Sequence, residues 1–435
     1  MTTFDTILPR LAEIFTGRAH ELGGVRPILV NRDLNGRVRL IADEKWQDVP
    51  AARQTLASIA RDIHEALGAH AYTTEDTVLF ESLDGSFPWE TTFPLEGYPD
   101  IRVIDRLAVE GNWMMIPPVS PGPPRIVFYS IKGGVGRSTA IGAAAWALAE
   151  AGKRVLVLDL DLESPGLSSS LLPEDRRPAF GITDWLVEDL VDNGDAVFAD
   201  LMATSELSRN GEILVVPAHG KDPGEYVAKL GRIWMPKVDR HGGREAWPQR
   251  LCRLLDSLEQ RWTPDVVLID SRAGIDEVAS ACMTALGASL ILLFAIDGDQ
   301  TWSGYRTLFR HWRKSGVVET IRERLQVVGA MIPETDAAEY VDSLRERAWD
   351  TFAEELFDEI PPGAVPTTEN RWWSFDPADD SAPHFPWAVR WHRGFAALRS
   401  LHGRLHGVGH DEVENIFGPL IDGIMLSIRI DRGGP

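Results

Sequence analysis

The sequence predicts an α/β protein: a mostly parallel sheet covered by helices, with a small α/β module before it and a helical, aromatic-rich extension after it. Three observations carry that reading. Beyond residue 125, apolar β-rich runs alternate with helical patterns, as a parallel sheet with crossover helices requires. A proline-rich seam, Pro117-Pro118-Val119-Ser120-Pro121-Gly122-Pro123-Pro124, interrupts the chain where missing N–H donors and fixed φ angles rule out helix and discourage strand pairing. Ahead of the seam, short strand patterns flank one amphipathic helix.

Taken in order, residues 1–121 form the first module. Pro27 to Val30 and Arg37 to Ile41 read as strands, followed by a helix whose Leu56, Ile59, Ile63 and Leu67 fall on one face. Asp48 is placed to cap that helix and Gly68 to end it. Val78 to Phe80 and Ile101 to Ile104 complete the module as further strands. Trp46, Trp89 and Trp113 are expected to pack in cores, the commoner fate of lone aromatics.

Residues 122–335 form the second domain. Its strands are Ile126 to Ser130, Val155 to Asp159, Ile213 to Val216, Val266 to Asp270, Ser289 to Ile296 and Leu325 to Ile332. Gly152 and Lys153 part its first helix from its second strand. Residues 336–435 are the C-terminal extension, in which Arg371-Trp372-Trp373-Ser374-Phe375, Trp387 and Trp391 are read as packing residues with a partner surface as the alternative.

Composition narrows the function classes. The formal charge is −21, from 44 basic and 65 acidic residues, which opposes contact with nucleic acid or anionic lipid unless basic groups cluster. Two cysteines, Cys252 and Cys282, are too few for a disulfide framework and lack the spacing of a structural zinc site. The start Met1-Thr2-Thr3-Phe4-Asp5 has no signal-peptide pattern, and the longest apolar runs are too short to cross a bilayer. A soluble, cytoplasmic protein is expected.

The decisive segment runs Ile126-Val127-Phe128-Tyr129-Ser130-Ile131-Lys132-Gly133-Gly134-Val135-Gly136-Arg137-Ser138-Thr139, an apolar strand leading through glycines into an alanine-rich helix. Glycines let the backbone approach phosphate closely, inward N–H groups cradle it, and the helix N-terminus adds its positive end. Ser138 is then placed to bind magnesium.

The order Lys-Gly-Gly-Val-Gly-Arg-Ser-Thr resembles the deviant Walker A motif of ParA/MinD-type (SIMIBI class) P-loop ATPases. Val155-Leu156-Val157-Leu158-Asp159-Leu160-Asp161 looks like the family's switch I, and Val267-Leu268-Ile269-Asp270 like its Walker B and switch II. The resemblance covers roughly residues 125 to 335. It implies ATP and magnesium as ligands, slow hydrolysis and a nucleotide-sandwich homodimer in which Lys132 reaches the partner's phosphates. Gly133, Gly134, Val135, Gly136, Arg137, Ser138 and Thr139 would hold phosphate. Ser138 and Asp270 would serve magnesium with Asp159 behind them, and Asp161 would orient the attacking water. The implied function is a nucleotide-dependent switch acting on a protein partner through the N-terminal module or the C-terminal extension. Similar chains suggest bacterial multi-gene defence or signalling systems.

The chain departs from that pattern in places. Arg137 stands where the family carries its second P-loop lysine, a larger, forked cation expected to contact the β or γ phosphate and to slow turnover. Met331-Ile332-Pro333-Glu334 lacks the asparagine with which many relatives recognise adenine. Arg272 in the Ser271-Arg272-Ala273-Gly274 loop is read equally as a phosphate sensor or a surface residue. A DNA-binding partition ATPase is the alternative function, resting on nine basic against six acidic residues between Lys221 and Arg261; a catalytically weak scaffold is another. The tail Ile416 to Ile430 has too few cations for a membrane helix, the cysteines lack the setting of an iron–sulfur cluster, and no tyrosine follows Tyr340 to form a tyrosine-kinase tail. His402, His406 and His410 have helical spacing for a metal, but Gly403, Gly407 and Gly409 weaken such a helix.

Overall fold

The computed structural model describes residues 2–84, 89, 92–106, 112–207, 210–238, 242–361, 372–396 and 410–432. The chain divides into two compact units, residues 1–109 with 314–317, and residues 110–313 with 318–435.

The first unit is built on a five-stranded sheet: β1 (Ile28–Arg32), β2 (Val38–Asp43), β3 (Val78–Glu81), β4 (Phe93–Leu95) and β5 (Tyr98–Asp105), in the order β3-β2-β1-β5-β4. β1 runs parallel to β5 and antiparallel to β2. Helix Pro50–Leu67 turns Leu56, Ile59, Ile63 and Leu67 onto Ile28, Val30, Leu40 and Val103, because apolar residues spaced by one helical turn share a face. That helix starts one residue later than expected: Val49, not Asp48, occupies the N-cap, and Pro50 at the first helical position supplies the preset φ that begins it. Gly68 ends it at φ +56°. Trp46 and Trp89 pack against the two apolar clusters of this unit.

The second unit carries an eight-stranded sheet of β6 (Arg125–Ser130), β7 (Arg154–Asp159), β8 (Ala203–Ser205), β9 (Glu212–Val216), β12 (Val266–Asp270), β13 (Leu290–Ala295), β14 (Leu325–Ile332) and β15 (Trp387–Arg390). A short ribbon of β10 (Lys237–Val238) and β11 (Arg244–Glu245) stands apart from it. The order is β15-β14-β13-β6-β12-β7-β9-β8, parallel throughout except for the antiparallel β8. β6 and β12 are buried along their whole length, as strands covered on both faces must be. The proline-rich run packs inside this unit: the Ser120 amide donates to the Gly287 carbonyl at 2.9 Å and Arg324 to the Pro117 carbonyl at 2.9 Å. Trp113 lies 6.4 Å from Trp312, ring to ring.

Helix Arg137–Glu150 has almost no exposed face. The sheet covers one side, and helix His410–Arg432 packs along it through Phe417, Leu420, Ile421 and Ile424. Its alanines, Ala140, Ala143, Ala144 and Ala147, are small enough to permit close approach on more than one face. The apolar face of helix His410–Arg432, formed by Ile416, Phe417, Leu420, Ile421, Ile424 and Ile428, is therefore core. The extension also contributes β15, which sequence patterning had not separated from its helical and aromatic surroundings. His402, His406 and Arg371 lie outside the described residues; the His410 ring sits 5.3 Å from that of Trp146.

β6 is anchored at its start by Arg125, only 2% exposed, which donates to Glu259 at 2.7 and 2.8 Å and to the Leu286 carbonyl at 2.8 Å. Removing one member of a buried pair strands the other charge. Glu259→Ala is expected to cost about 3 kcal/mol, read as a lowered midpoint in urea unfolding; an unchanged midpoint would show that Asp256, also bonded to Arg125, suffices alone.

Candidate phosphate and magnesium site

β6, β7 and β12 are neighbours, so their carboxyl ends bring Ser130, Asp159 and Asp270 to one edge of the sheet, with Asp159 directly opposite Asp270 in the register. Open parallel sheets bind ligands at this edge. The chain leaves β6 through a loop in which Gly134 and Gly136 adopt φ of +75° and +81°, a left-handed backbone that side chains resist. Gly136 is the N-cap of helix Arg137–Glu150, so the loop delivers the helix N-terminus, with its unpaired N–H groups, to the site.

A cavity of about 630 Å³ opens over this loop. Gly133, Gly134, Val135, Gly136, Arg137, Ser138, Thr139, Asp161 and Arg272 all line it, so the structure brings together most residues the sequence singled out. Asp159 and Asp270 do not reach its wall; they lie beneath it, 0% and 1% exposed. Lys132, next to Gly133 at the start of the loop, is exposed and is not one of the lining residues.

Arg137 is the pivot beneath the loop. Its Nε donates to Asp270 Oδ1 at 2.7 Å, its Nη1 donates to Ser130 Oγ at 2.8 Å, and its Nη2 lies 3.5 Å from Asp161 Oδ2. A forked guanidinium can serve three acceptors at fixed angles, which a lysine ammonium cannot do from the same position. Arg137 lines the cavity, where a phosphate contact was expected of it, and its guanidinium is also engaged by the site's own acceptors. Ser138 Oγ donates to the other oxygen of Asp270 at 2.8 Å. Asp161 also accepts from Ser164 Oγ at 3.0 Å.

Asp159 Oδ2 accepts from the amide and hydroxyl of Ser168 at 3.1 and 2.8 Å, while Oδ1 is buried with no hydrogen-bond partner among the described residues. Burial, then the charge of Asp270, raises the Asp159 pKa well above the ordinary 3.8. Burial also raises that of Asp270, opposed by Arg137. Among the described residues no cluster of three His, Cys, Asp or Glu forms a ready-made metal cage. Magnesium needs none: a hydroxyl, one or two carboxylates, waters and phosphate oxygens are its usual set. Ser138 Oγ, Asp270 and the orphaned Asp159 Oδ1 are hard oxygen donors in one place, and they fit that ion.

The flanking loops are tied to one another. Arg272 pairs with Glu163 at 2.5 Å and with Asp276 at 3.2 Å, joining the segment after β12 to the segment after β7. The Leu160 amide donates to the Asp270 carbonyl at 3.0 Å. Sequence reading missed the opposite wall of the cavity, formed by Met331, Val389, Arg390, Trp391, His392, Phe395 and Phe417. Met331 and Trp391 belong to segments singled out in the sequence, but nothing in their pattern placed them at the cavity. The cysteines are free, and burial pushes the Cys282 thiol up to about 12, too high for a reactive thiolate near neutrality. No helix among the described residues is long and apolar enough to cross a membrane.

Comparison with known proteins gives one family: the CobQ/CobB/MinD/ParA nucleotide binding domain matches residues 126–361. Among solved structures, the septum site-determining protein MinD of Pyrococcus horikoshii, complexed with Mg-ADP, is 19% identical, with 69% of this chain and 96% of that one covered at a TM-score of 0.39. pNOB8 ParA bound to nonspecific DNA is 15% identical over 71% and 98%, at 0.42. The cobyrinic acid a,c-diamide synthase of Mycobacterium smegmatis, with bound ATP analog and magnesium, is 22% identical over 57% and 88%, at 0.36. No curated protein matches the sequence.

The buried carboxylate gives a test of the site's electrostatics. A carboxyl whose pKa is higher folded than unfolded contributes stability that is full below about 3.8 and is lost as pH rises through the folded value. Asp159→Asn is therefore expected to raise the melting temperature by a few degrees at about pH 8 and by less at about pH 4; a gain independent of pH would show that charge is not its cause.

Proposed function

We propose that this chain, which belongs to the CobQ/CobB/MinD/ParA family of nucleotide-binding domains, binds ATP with magnesium, hydrolyses it slowly and uses the nucleotide state to control a protein partner. The observation that carries the reading is the single cavity over the glycine loop, lined by every residue from Gly133 to Thr139 together with Asp161 and Arg272. Backbone N–H groups of the loop and the helix N-terminus hold the phosphates. Ser138 and Asp270, with Asp159 behind them, hold magnesium, which when bound offsets phosphate charge and polarises the bond to be broken.

Asp161 orients the attacking water and accepts its proton. Slow turnover is supported by how that carboxylate is engaged: Ser164 donates to it and Arg137 stands close by, so it must be released to act. Lys132, exposed at the start of the loop, extends to the phosphates of a second copy, and the homodimer closes around nucleotide. The protein partner docks on the N-terminal unit or the C-terminal segment.

Light scattering coupled to size exclusion tests this reading on samples without nucleotide, with ADP and with ATP and magnesium. Wild type is expected to double in mass only with ATP. Asp161→Ala should hold the dimer while phosphate release falls about a hundredfold or more, the usual size of a lost general base. Lys132→Ala should bind ATP and stay monomeric. A mass and a phosphate signal indifferent to nucleotide would leave the fold as a scaffold.

A further inference from the structure

Asp161 stands in a short stretch of chain that is held on both sides. Its neighbours Leu160 and Leu162 are fully buried, while Asp161 itself lines the cavity. Before it, the Leu160 amide donates to the Asp270 carbonyl at 3.0 Å. After it, the Leu162 carbonyl accepts from the hydroxyl of Tyr226 at 2.6 Å. One restraint comes from the end of β12 and the other from helix Tyr226–Ile233, with the carboxylate between them.

Tyr226 is a firm point to hold from. Its ring meets that of His219 edge to face at 5.2 Å, and His219 sits where two segments cross backbone to backbone. A Cβ on Gly220 would stand 2.0 Å from the Ala179 carbonyl oxygen, and one on Gly181 would stand 2.4 Å from the His219 Cα. One turn further along the helix, Lys229 pairs with Asp184 and donates to the Pro223 carbonyl at 3.1 Å, while Asp184 accepts from the Gly181 amide at 2.8 Å. The helix is thus tied to the same close-packed crossing that seats His219.

The bond runs in one direction. Burial, then the charges of Asp159, Asp184 and Asp161, raises the Tyr226 pKa above the ordinary 10, so the phenol keeps its proton and donates it to Leu162. A backbone carbonyl enclosed in protein needs such a donor. Tyr226 is not one of the residues lining the cavity; its route to the chemistry is the backbone of Leu162, one residue from Asp161.

We propose that Tyr226 is a positioning residue for hydrolysis: through the Leu162 carbonyl its hydroxyl fixes the backbone from which Asp161 reaches the attacking water. This rests on the role given to Asp161 above.

Tyr226→Phe, which removes the hydroxyl and keeps the ring, tests it in the full chain. Hydrogen exchange over residues 160–166, without nucleotide, is expected to quicken about fivefold, the worth of one hydrogen bond. ATP affinity by titration calorimetry should stay within about threefold of wild type, while phosphate release at saturating ATP with magnesium falls about tenfold, as a small misplacement of a reacting group costs. In an Asp161→Ala background the same substitution should cost nothing further, because a residue that acts through Asp161 has nothing left to position; a generally damaged fold would slow both backgrounds alike. Release by Tyr226→Phe within about twofold of wild type, or the same factor lost again beside Asp161→Ala, would overturn the positioning role and leave the hydrolysis reading standing. Unchanged exchange over 160–166 would overturn it whether or not the chain hydrolyses ATP. Wild type that releases no phosphate would overturn the hydrolysis reading and this role with it.

Discussion

The buried contacts of Arg137 with Asp270 and Ser130 hold together the parts on which everything else in the site rests. Asp270 ends β12, Ser130 ends β6, and Arg137 opens the helix that leaves the glycine loop, so one guanidinium fixes the spacing of two strands and a helix at the sheet's carboxyl edge. A charge this deeply enclosed requires acceptors on every side. One of those acceptors, Asp270, is also a residue the family resemblance would use, so structural and chemical demands fall on the same carboxylate.

That coupling ties the loops around the site to one another. Asp161 lies within reach of the same guanidinium, Glu163 pairs with Arg272, and the Asp270 carbonyl receives the Leu160 amide. A change at the phosphate end has a short, contiguous route to both segments that follow β7 and β12. The route is one of ion pairs and hydrogen bonds with definite partners, which can couple neighbouring loops.

Much of this was legible in the sequence because burial on both faces leaves a plain mark. Ile126 to Ser130, Val155 to Asp159 and Val266 to Asp270 are unbroken apolar runs ending in polar residues, and the glycines after the first leave one reading of the loop. β15 was not legible: four residues with Trp387 and Arg390 at its ends carry no period, and its place comes from pairing with β14, far away in sequence. Nor could pattern tell where Arg137 points, since spacing fixes a residue's position on a helix and tertiary contacts fix its direction. The helix cap slipped by one residue at Asp48 because Pro50 set the start instead.

The closure of the site by residues 389–395 and 417 has a consequence for how the protein is made. The glycine loop leaves the ribosome long before the strand and helix that wall its cavity, and helix Arg137–Glu150 meanwhile exposes alanines that the finished chain buries. During synthesis that half-covered sheet is an adhesive intermediate. A chain interrupted before that strand and helix therefore carries an intact motif on a pocket without its far wall.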